Sequence, residues 1–387
     1  MALGASGVQP NHPGMSAAQQ RKAASAMNGQ LRKESATVLV TGATGYTGGC
    51  LALRLREQGH AVRALVRPGS RSDHLVRAGV HLIEGDIRTP ADVERAAAAV
   101  DCIYHIAAVF RTAGHPDGYY YDVNVGGTDN VLRAAKRHGV ARVVHCSTIG
   151  VHGDVAEIPC HEETPFNPGD IYQVTKLEGE QLVRTAFSNG LSGSIVRPAS
   201  IYGPGDLRHL KLFKTIYKGQ FRMFGSGETL YHPVYIDDLI SGIILAGQSP
   251  AALGQTYILA GERYVTLNQL TAAVAAAVGR EPPRGRLPYW PLLAGAAVCE
   301  ALCRPLRIDP PLHRRRASFF VNNRAFSIEK ARRELGYQPQ IDIEEGLKRT
   351  AAWYFAHGLL PCPRDFLSRR VLQSLLFWQS PLTACLT

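Results

Sequence analysis

The chain has 387 residues, 45% hydrophobic and 19% charged, a balance that suits a globular protein with a large core. Its length exceeds the usual compact domain, so two lobes are expected. Lys and Arg outnumber Asp and Glu by 43 to 32, giving a net charge of +11, yet no aromatic-interleaved basic block or finger spacing accompanies it, which excludes nucleic acid as a partner and leaves solubility, phosphate-bearing ligands or a membrane surface.

Residues 1–35 are rich in Ala, Gly, Ser, Gln and Asn and lack periodicity, so a flexible leader is expected there. It has no apolar core of a secretory signal. Order begins at Thr37. "TVLVTG" is a β-branched run ending in glycine, the pattern of a buried parallel strand. "GGCLALRLREQG" follows with helical spacing and a terminal glycine. "AVRALVR", "VHLIEGD", "VDCIYHIAA" and "ARVVHCST" are the second to fifth strands, with helical patterns such as "ADVERAAAAV" between them. A helix over about 171–189 and a sixth strand in "SGSIVRPASIYG" complete the series. The alternation predicts an α/β fold: a doubly wound parallel sheet (Rossmann) over 36–204, with a smaller mixed α/β lobe over 205–360. The chain is expected to cross back to the sheet at "TYILAG", and residues 361–387 read as an amphipathic tail.

"TGATGYTGG" supplies Gly42, Gly45 and Gly48 between a strand and a helix. Glycine serves where the backbone needs a positive φ or close approach to a pyrophosphate, and the helix N-terminus offers free N–H groups to that anion. Thr44 and Tyr46 belong to the same dinucleotide-binding turn. The next strand ends in "LVRPGSR", with Arg67 where a carboxylate would read the free ribose hydroxyls of NAD(H). An arginine there suits the 2′-phosphate of NADP(H), which is therefore favoured.

"YQVTK" sets Tyr172 and Lys176 four residues apart, on one face of a helix. A phenol has an ordinary pKa near ~10 and is a weak base at neutral pH. A neighbouring ammonium and a nicotinamide cation favour the phenolate, so Tyr172 can exchange a proton with a substrate oxygen while hydride moves at carbon. Ser147-Thr148 ends the fifth strand, at the sheet edge where such folds bind ligands.

Together these residues resemble the extended (atypical) short-chain dehydrogenase/reductase superfamily, of the NAD-dependent epimerase/dehydratase type, over about 37–358. The resemblance rests on "TGATGYTG", "GDI" at Asp86, "HIAA" at His105–Ala108, "NVGGTDNVL" at Asn124, "CSTIGVHG", "YQVTK", "RPASIYGPGD", "HPVYIDDL" and "KARRELGYQP". It implies that Asp86 and Ile87 flank adenine, that Ala107, Ala108 and Asn124 belong to the cofactor site, and that Pro198 and Ile201 lie beside the nicotinamide. Thr148, Tyr172 and Lys176 are implied as the catalytic set, with Lys176 also on the nicotinamide ribose. Phe110, Tyr202, His209, Tyr231 and His232 are expected to border the substrate.

The superfamily's nucleotide-sugar members carry Arg-Asp-Phe where this chain has Tyr231, His232 and Pro233, and its dehydratases place Asp-Glu where Ile149 and Gly150 stand. The apolar insert "LPYWPLLAGAAVCEALCRPL" and "PPLHRRRASFF" are similar to the 3β-hydroxysteroid dehydrogenase-like branch. The expected function is NAD(P)-dependent hydride transfer at a secondary alcohol or ketone of a cyclic or lipophilic, steroid-like substrate. The alternative is a nucleotide-sugar or polyol epimerase that retains its cofactor. The insert at 289–306 reads as a lid over an apolar pocket or as core or dimer packing. Arg314, Arg315 and Arg316 read as a diphosphate contact or a solvated surface. The tail, with Arg369 and Arg370 among Leu, Phe and Trp, reads as packing or peripheral membrane contact.

Eight scattered cysteines form no CxxC pair, and Cys160-His161 alone makes no metal site, so no metal is expected and a reducing, cytoplasmic compartment is. No run reaches the roughly 20 uninterrupted apolar residues of a membrane span. A homodimer is expected through the helices near 119–138 and 171–189, although Val131, Leu132, Leu177 and Leu182 equally permit packing onto the sheet.

Overall fold

The computed structural model describes residues 35–110, 115–155, 157–303 and 317–361. Residues 1–34, Arg314–Arg316 and the tail beyond 361 lie outside the described residues.

The chain runs β1 (Thr37–Thr41), α1 (Tyr46–Glu57), β2 (Ala61–Val66), α2 (Asp73–Arg77), β3 (His81–Glu84), α3 (Pro90–Ala97) and β4 (Cys102–His105). A helical run at Asp117–Tyr120 and a π-turn at Tyr121–Gly126 lead into α4 (Gly127–Arg137), then β5 (Arg142–Cys146), α5 (Ile171–Ser188) and β6 (Gly193–Pro198). The second half adds β7 (Ser200–Tyr202), α6 (Leu210–Tyr217), β8 (Met223–Phe224), β9 (Leu230–Tyr231), β10 (Pro233–Tyr235), α7 (Ile236–Gln248), β11 (Thr256–Leu259), β12 (Val265–Thr266), α8 (Leu267–Ala277), β13 (Arg286–Leu287), α9 (Tyr289–Cys303), α10 (Glu329–Leu335) and α11 (Ile343–Ala356).

Seven strands form one parallel sheet in the order β11-β6-β5-β4-β1-β2-β3. Strand side chains alternate between two apolar layers, as the period of two requires. Val38, Val40, Tyr104 and Val144 join α1 and α7 on one face. Leu39, Ile103 and Val143 join α3 and α4 on the other. Val131 is fully buried there, and Leu132 packs with Val183 of α5 and Ile195 of β6. Val131 and Leu132, two of the four positions weighed for a dimer, thus make apolar contacts within one chain.

The smaller lobe packs α6, α8 and α11 on the same apolar cluster as α1 and α7, so Phe213, Leu270 and Tyr354 share one core with Val38. The lobes are therefore joined by continuous packing. The strand order reverses between β1 and β4, and the loops leaving the carboxyl ends of β1, β4, β5 and β6 open a crevice there.

The apolar insert forms α9, of which only Ala296 is buried. Trp290 is 71% exposed and Leu302 66%. Core packing does not describe it among the described residues, and none of its side chains lines the main cavity. Among the described residues no helix is long and apolar enough to cross a membrane.

Candidate active site

The glycine turn follows from its local geometry. Gly42 has φ +74°, and a Cβ there would lie 2.7 Å from the Ala107 amide nitrogen. The β4 loop can rest on the turn only because that atom is missing. Gly45 donates its amide to the Gly42 carbonyl at 3.0 Å and forms the N-cap of α1. No side chain caps α1 and its first turn holds no acidic residue. Its amides and dipole face the crevice, a donor set that fits a pyrophosphate.

A cavity of about 1190 Å³ runs from this turn along the carboxyl edge of the sheet. Gly42, Thr44, Gly45, Tyr46, Gly48, Arg67, Asp86 and Ile87 line it. So do Ala107, Ala108, Phe110, Thr148, Tyr172, Lys176, Pro198, Ile201 and His209. Arg67 donates to the Tyr119 hydroxyl at 3.3 Å. Asp86 is bound by both Nε and Nη2 of Arg88, and those hydrogen bonds hold its carboxyl below the usual range against the opposing effect of burial.

Asp170 caps α5 by accepting the Gln173 amide at 3.1 Å. The helix then sends Tyr172 and Lys176 into the cavity from its first turns. The Tyr172 ring is buried, with Phe110 edge-on at 5.1 Å. Lys176 is 2% exposed, and its ammonium donates to the Cys146 carbonyl at 2.7 Å. Burial pulls its pKa below the ordinary value, while Cys146 and Glu180 pull it back. Behind it lie His105 and His145, with ring centroids 5.2 Å apart. Burial, with the nearby Lys176 charge, depresses His105 to about 3 and His145 well below its ordinary range. Both stay neutral and add no positive charge against the ammonium. Thr148 accepts the Gly150 amide at 3.1 Å, which fixes its oxygen and leaves the hydroxyl hydrogen to donate.

Behind α5 lies an ion pair with both side chains fully buried. Arg197 of β6 donates through Nη2 to Glu180 Oε1 at 2.6 Å and through Nε to Oε2 at 3.1 Å. Its Nη1 donates to the Glu162 carbonyl at 2.8 Å and to His152 Nε2 at 2.9 Å. Burial works to raise the Glu180 carboxyl, and Arg197 overcomes it, leaving the pKa below its ordinary value. His152 is held down at about 4, by burial first and then by Arg197, so it remains an acceptor.

Four expected site residues stand elsewhere. Asn124 faces inward from the π-turn: its oxygen accepts the Val109 amide at 2.8 Å and its nitrogen donates to Thr175 at 3.0 Å. It braces the β4 loop against α5 from behind. Gly179 permits this approach, since a Cβ there would lie 2.7 Å from the Asn124 carbonyl. Tyr202 is buried against Tyr235 and over Gly346, inside the core. His232 donates to the Gly261 carbonyl and accepts the Phe326 amide, tying three segments together. Tyr231 lies one layer behind the wall, bonded to Ser200 and His209. The cavity instead gains Ser200, Arg208, Asn322 and Arg324. No spacing marks these four, because three separate segments bring them together. Among the described residues no His, Cys, Asp and Glu cluster could hold a metal ion.

The model of the NAD dependent epimerase/dehydratase family matches residues 38–260. The chain belongs to that family. Among its relatives is a 2-alkyl-3-oxoalkanoate reductase of Stenotrophomonas maltophilia, 33% identical over 331 residues, covering 81% of this chain and 98% of that protein. Short-chain dehydrogenase/reductase family 42E member 1 of Bos taurus is 34% identical over 83% of this chain and 88% of its own. A 3-beta-hydroxysteroid dehydrogenase of Mycolicibacterium neoaurum is 30% identical over 84% and 93%. The crystal structure of gox2253 superposes with a TM-score of 0.72 at 30% identity, covering 84% of this chain and 99% of that one. A UDP-glucose 4-epimerase of Thermotoga maritima, at 21% identity and TM-score 0.67 over 83% and 99%, shares the fold. The family chain described here is thus an enzyme of the extended short-chain dehydrogenase/reductase type, with a Rossmann-like sheet matching family structures.

Removing one partner of the buried pair leaves an uncompensated charge, which costs about 3–5 kcal/mol. Glu180→Ala is expected to lower the free energy of unfolding in urea by that order. A change below about 1 kcal/mol would contradict the account of Arg197 as a buried cation dependent on Glu180.

Proposed function

We propose that this enzyme is an NAD(P)-dependent oxidoreductase acting at a secondary alcohol or ketone of a cyclic or lipophilic substrate. The observation that carries the reading is the convergence of Thr148, Tyr172 and Lys176 on one cavity with the glycine turn. A nicotinamide cofactor bound there supplies or accepts the hydride. Tyr172 exchanges the proton at the substrate oxygen. Lys176, fixed on the Cys146 carbonyl, puts a positive charge beside it and favours the phenolate. Thr148 donates its hydroxyl hydrogen to the substrate oxygen and holds it in reach. Phe110, Ile149, Ile201 and Phe326 give the same cavity apolar surface, which suits a lipophilic body. The relatives named as reductase and as hydroxysteroid dehydrogenase support the same reading.

NADP(H) is the preferred cofactor in this proposal. Arg67 follows β2 where a carboxylate would serve NAD(H), and it lines the same cavity as Asp86 and Ile87. The proposal also includes a reducing, cytoplasmic setting, supported by Cys50, Cys102, Cys146 and Cys160, which are buried as free thiols. It includes a homodimer, supported by a groove of about 500 Å³ between α4 and α5 lined by Leu132, Leu182 and Leu191.

Turnover of lipophilic ketones or alcohols should appear as a net change in nicotinamide absorbance. Tyr172→Phe is expected to lower kcat by about a hundredfold or more, as loss of a general acid–base group does, with cofactor Kd unchanged. Retained turnover would refute the role of Tyr172, and absent net absorbance change with an epimerised product would refute the oxidoreductase reading. Arg67→Ser should weaken NADP(H) binding about tenfold relative to NAD(H), the scale of one charge-assisted contact. An unchanged ratio in fluorescence titrations would remove the NADP(H) preference.

A further inference from the structure

At the foot of the loop that leaves β4, four buried polar residues meet. Thr41, His105, Thr128 and Asn124 come from β1, β4, α4 and the π-turn, and none is more than 1% exposed. His105 sits in the middle, in register with Thr41 on one side and His145 on the other. Its Nδ1 lies 2.8 Å from Thr41 Oγ1 and its Nε2 3.0 Å from Thr128 Oγ1. His145, by contrast, has no hydrogen-bond partner on either nitrogen among the described residues. The polar row therefore runs through His105 and bypasses its neighbour.

The hydrogens in this row follow from its geometry. The Thr128 hydroxyl lies 2.6 Å from the Asn124 carbonyl, which only accepts, so its single hydrogen is committed there. Without that hydrogen two oxygens would face each other at 2.6 Å. Thr128 can then only accept from His105, which puts a hydrogen on Nε2. Thr41 Oγ1 already accepts the Ala107 amide at 3.3 Å. Its own hydrogen has one acceptor among the described residues, His105 Nδ1, so that nitrogen is bare. An imidazolium would leave the Thr41 hydrogen without an acceptor. His105 is thus the neutral Nε2–H tautomer. Burial, with the nearby Lys176 charge, acts in the same direction and holds its pKa at about 3.

The row closes on itself. It runs from Ala107 through Thr41, His105 and Thr128 to Asn124. The Asn124 side chain then returns to the same loop at Val109, accepting its N–H at 2.8 Å and donating to its carbonyl at 3.3 Å. A branch reaches Thr175, the neighbour of Lys176 on α5, at 3.0 Å. The loop held by this circuit supplies Ala107, Ala108, Val109 and Phe110 to the cavity, and Phe110 meets the Tyr172 ring. Resting on the oxidoreductase reading, we propose that His105 is a positioning residue for hydride transfer: as the Nε2–H tautomer it sets the spacing between the loop after β4 and α5, and so holds the nicotinamide half of the cofactor against Tyr172 and Lys176. His105 does not itself line the cavity and acts through these neighbours. A buried ring of neutral groups, each donor matched to one acceptor, specifies a single arrangement where apolar packing alone would permit sliding.

The test reads the two halves of the cofactor separately in the full-length protein. NADPH spans the site, whereas adenosine 2′,5′-bisphosphate is limited to the adenosine end proposed beside Arg67 and Asp86. If NADH binds more tightly than NADPH, NADH and AMP take their places. His105→Phe keeps a ring and removes both hydrogen bonds. It is expected to weaken NADPH about fivefold or more, the scale of one lost buried hydrogen bond, and to leave the bisphosphate Kd unchanged. His105→Gln, which keeps a donor towards Thr128, is expected to recover part of the loss. Histidine 15N spectra of the wild-type protein, with His105 assigned through its backbone, are expected to show a bare Nδ1 and a protonated Nε2. That pattern should not change between about pH 5 and 8, where an ordinary imidazole titrates. Unchanged NADPH affinity in His105→Phe, or both ligands weakened alike with a lower Tm, overturns the positioning role. A protonated Nδ1 in the wild-type protein overturns it even where neither variant folds. The oxidoreductase reading fails separately, on retained turnover by Tyr172→Phe.

Discussion

The site depends on one buried ion pair. Glu180 lies one helical turn beyond Lys176 and two beyond Tyr172, and Arg197 clamps it to β6 through two hydrogen bonds. Because both side chains are fully buried, neither can exchange its partner for water. The position of α5 relative to the sheet is therefore fixed by geometry as well as by apolar contact. Arg197 also reaches the Glu162 carbonyl and a neutral His152, which ties the loop between β5 and α5 into the same arrangement. A pair of this kind contributes little net stability compared with well-packed apolar groups. Its contribution is registration: two side chains one turn apart reach the cavity edge together.

The rest of the site converges on that helix. Asn124 braces α5 through Thr175 and the β4 loop through Val109, and the missing Cβ of Gly179 lets the π-turn approach. The missing Cβ of Gly42 lets the β4 loop close over the glycine turn. Thus two glycines, one amide and one ion pair bring the turn after β1, the loop after β4 and the start of α5 around a common space at the reversal of strand order. π-turns tend to sit at functional sites, and this one does so by aiming Asn124 inward.

Much of this was legible in the sequence because its signals are local. Strand, glycine turn and helix over 37–57 follow from a few adjacent residues, and Tyr172 with Lys176 from helical spacing alone. What is not local was harder. Tyr202 and His232 sit in the right segments, yet side-chain direction is set by partners far along the chain: Gly346 for the first, Gly261 and Phe326 for the second. The wall of Ser200, Arg208 and Arg324 has no spacing to betray it, because the smaller lobe folds Arg324 back beside β9. The apolar insert shows the limit of composition, since a stretch that reads equally as lid, core or dimer packing stands largely exposed as α9.

The central claim is that Tyr172, Lys176 and Thr148 serve a hydride transfer that changes the substrate's oxidation state. The most direct measurement is mass spectrometry of the alcohol formed from a lipophilic ketone with NADPH deuterated at the nicotinamide C4. The account predicts one deuterium on the carbinol carbon from one of the two C4-labelled diastereomers and none from the other. An alcohol formed without deuterium from either diastereomer, or no alcohol at all, would contradict it.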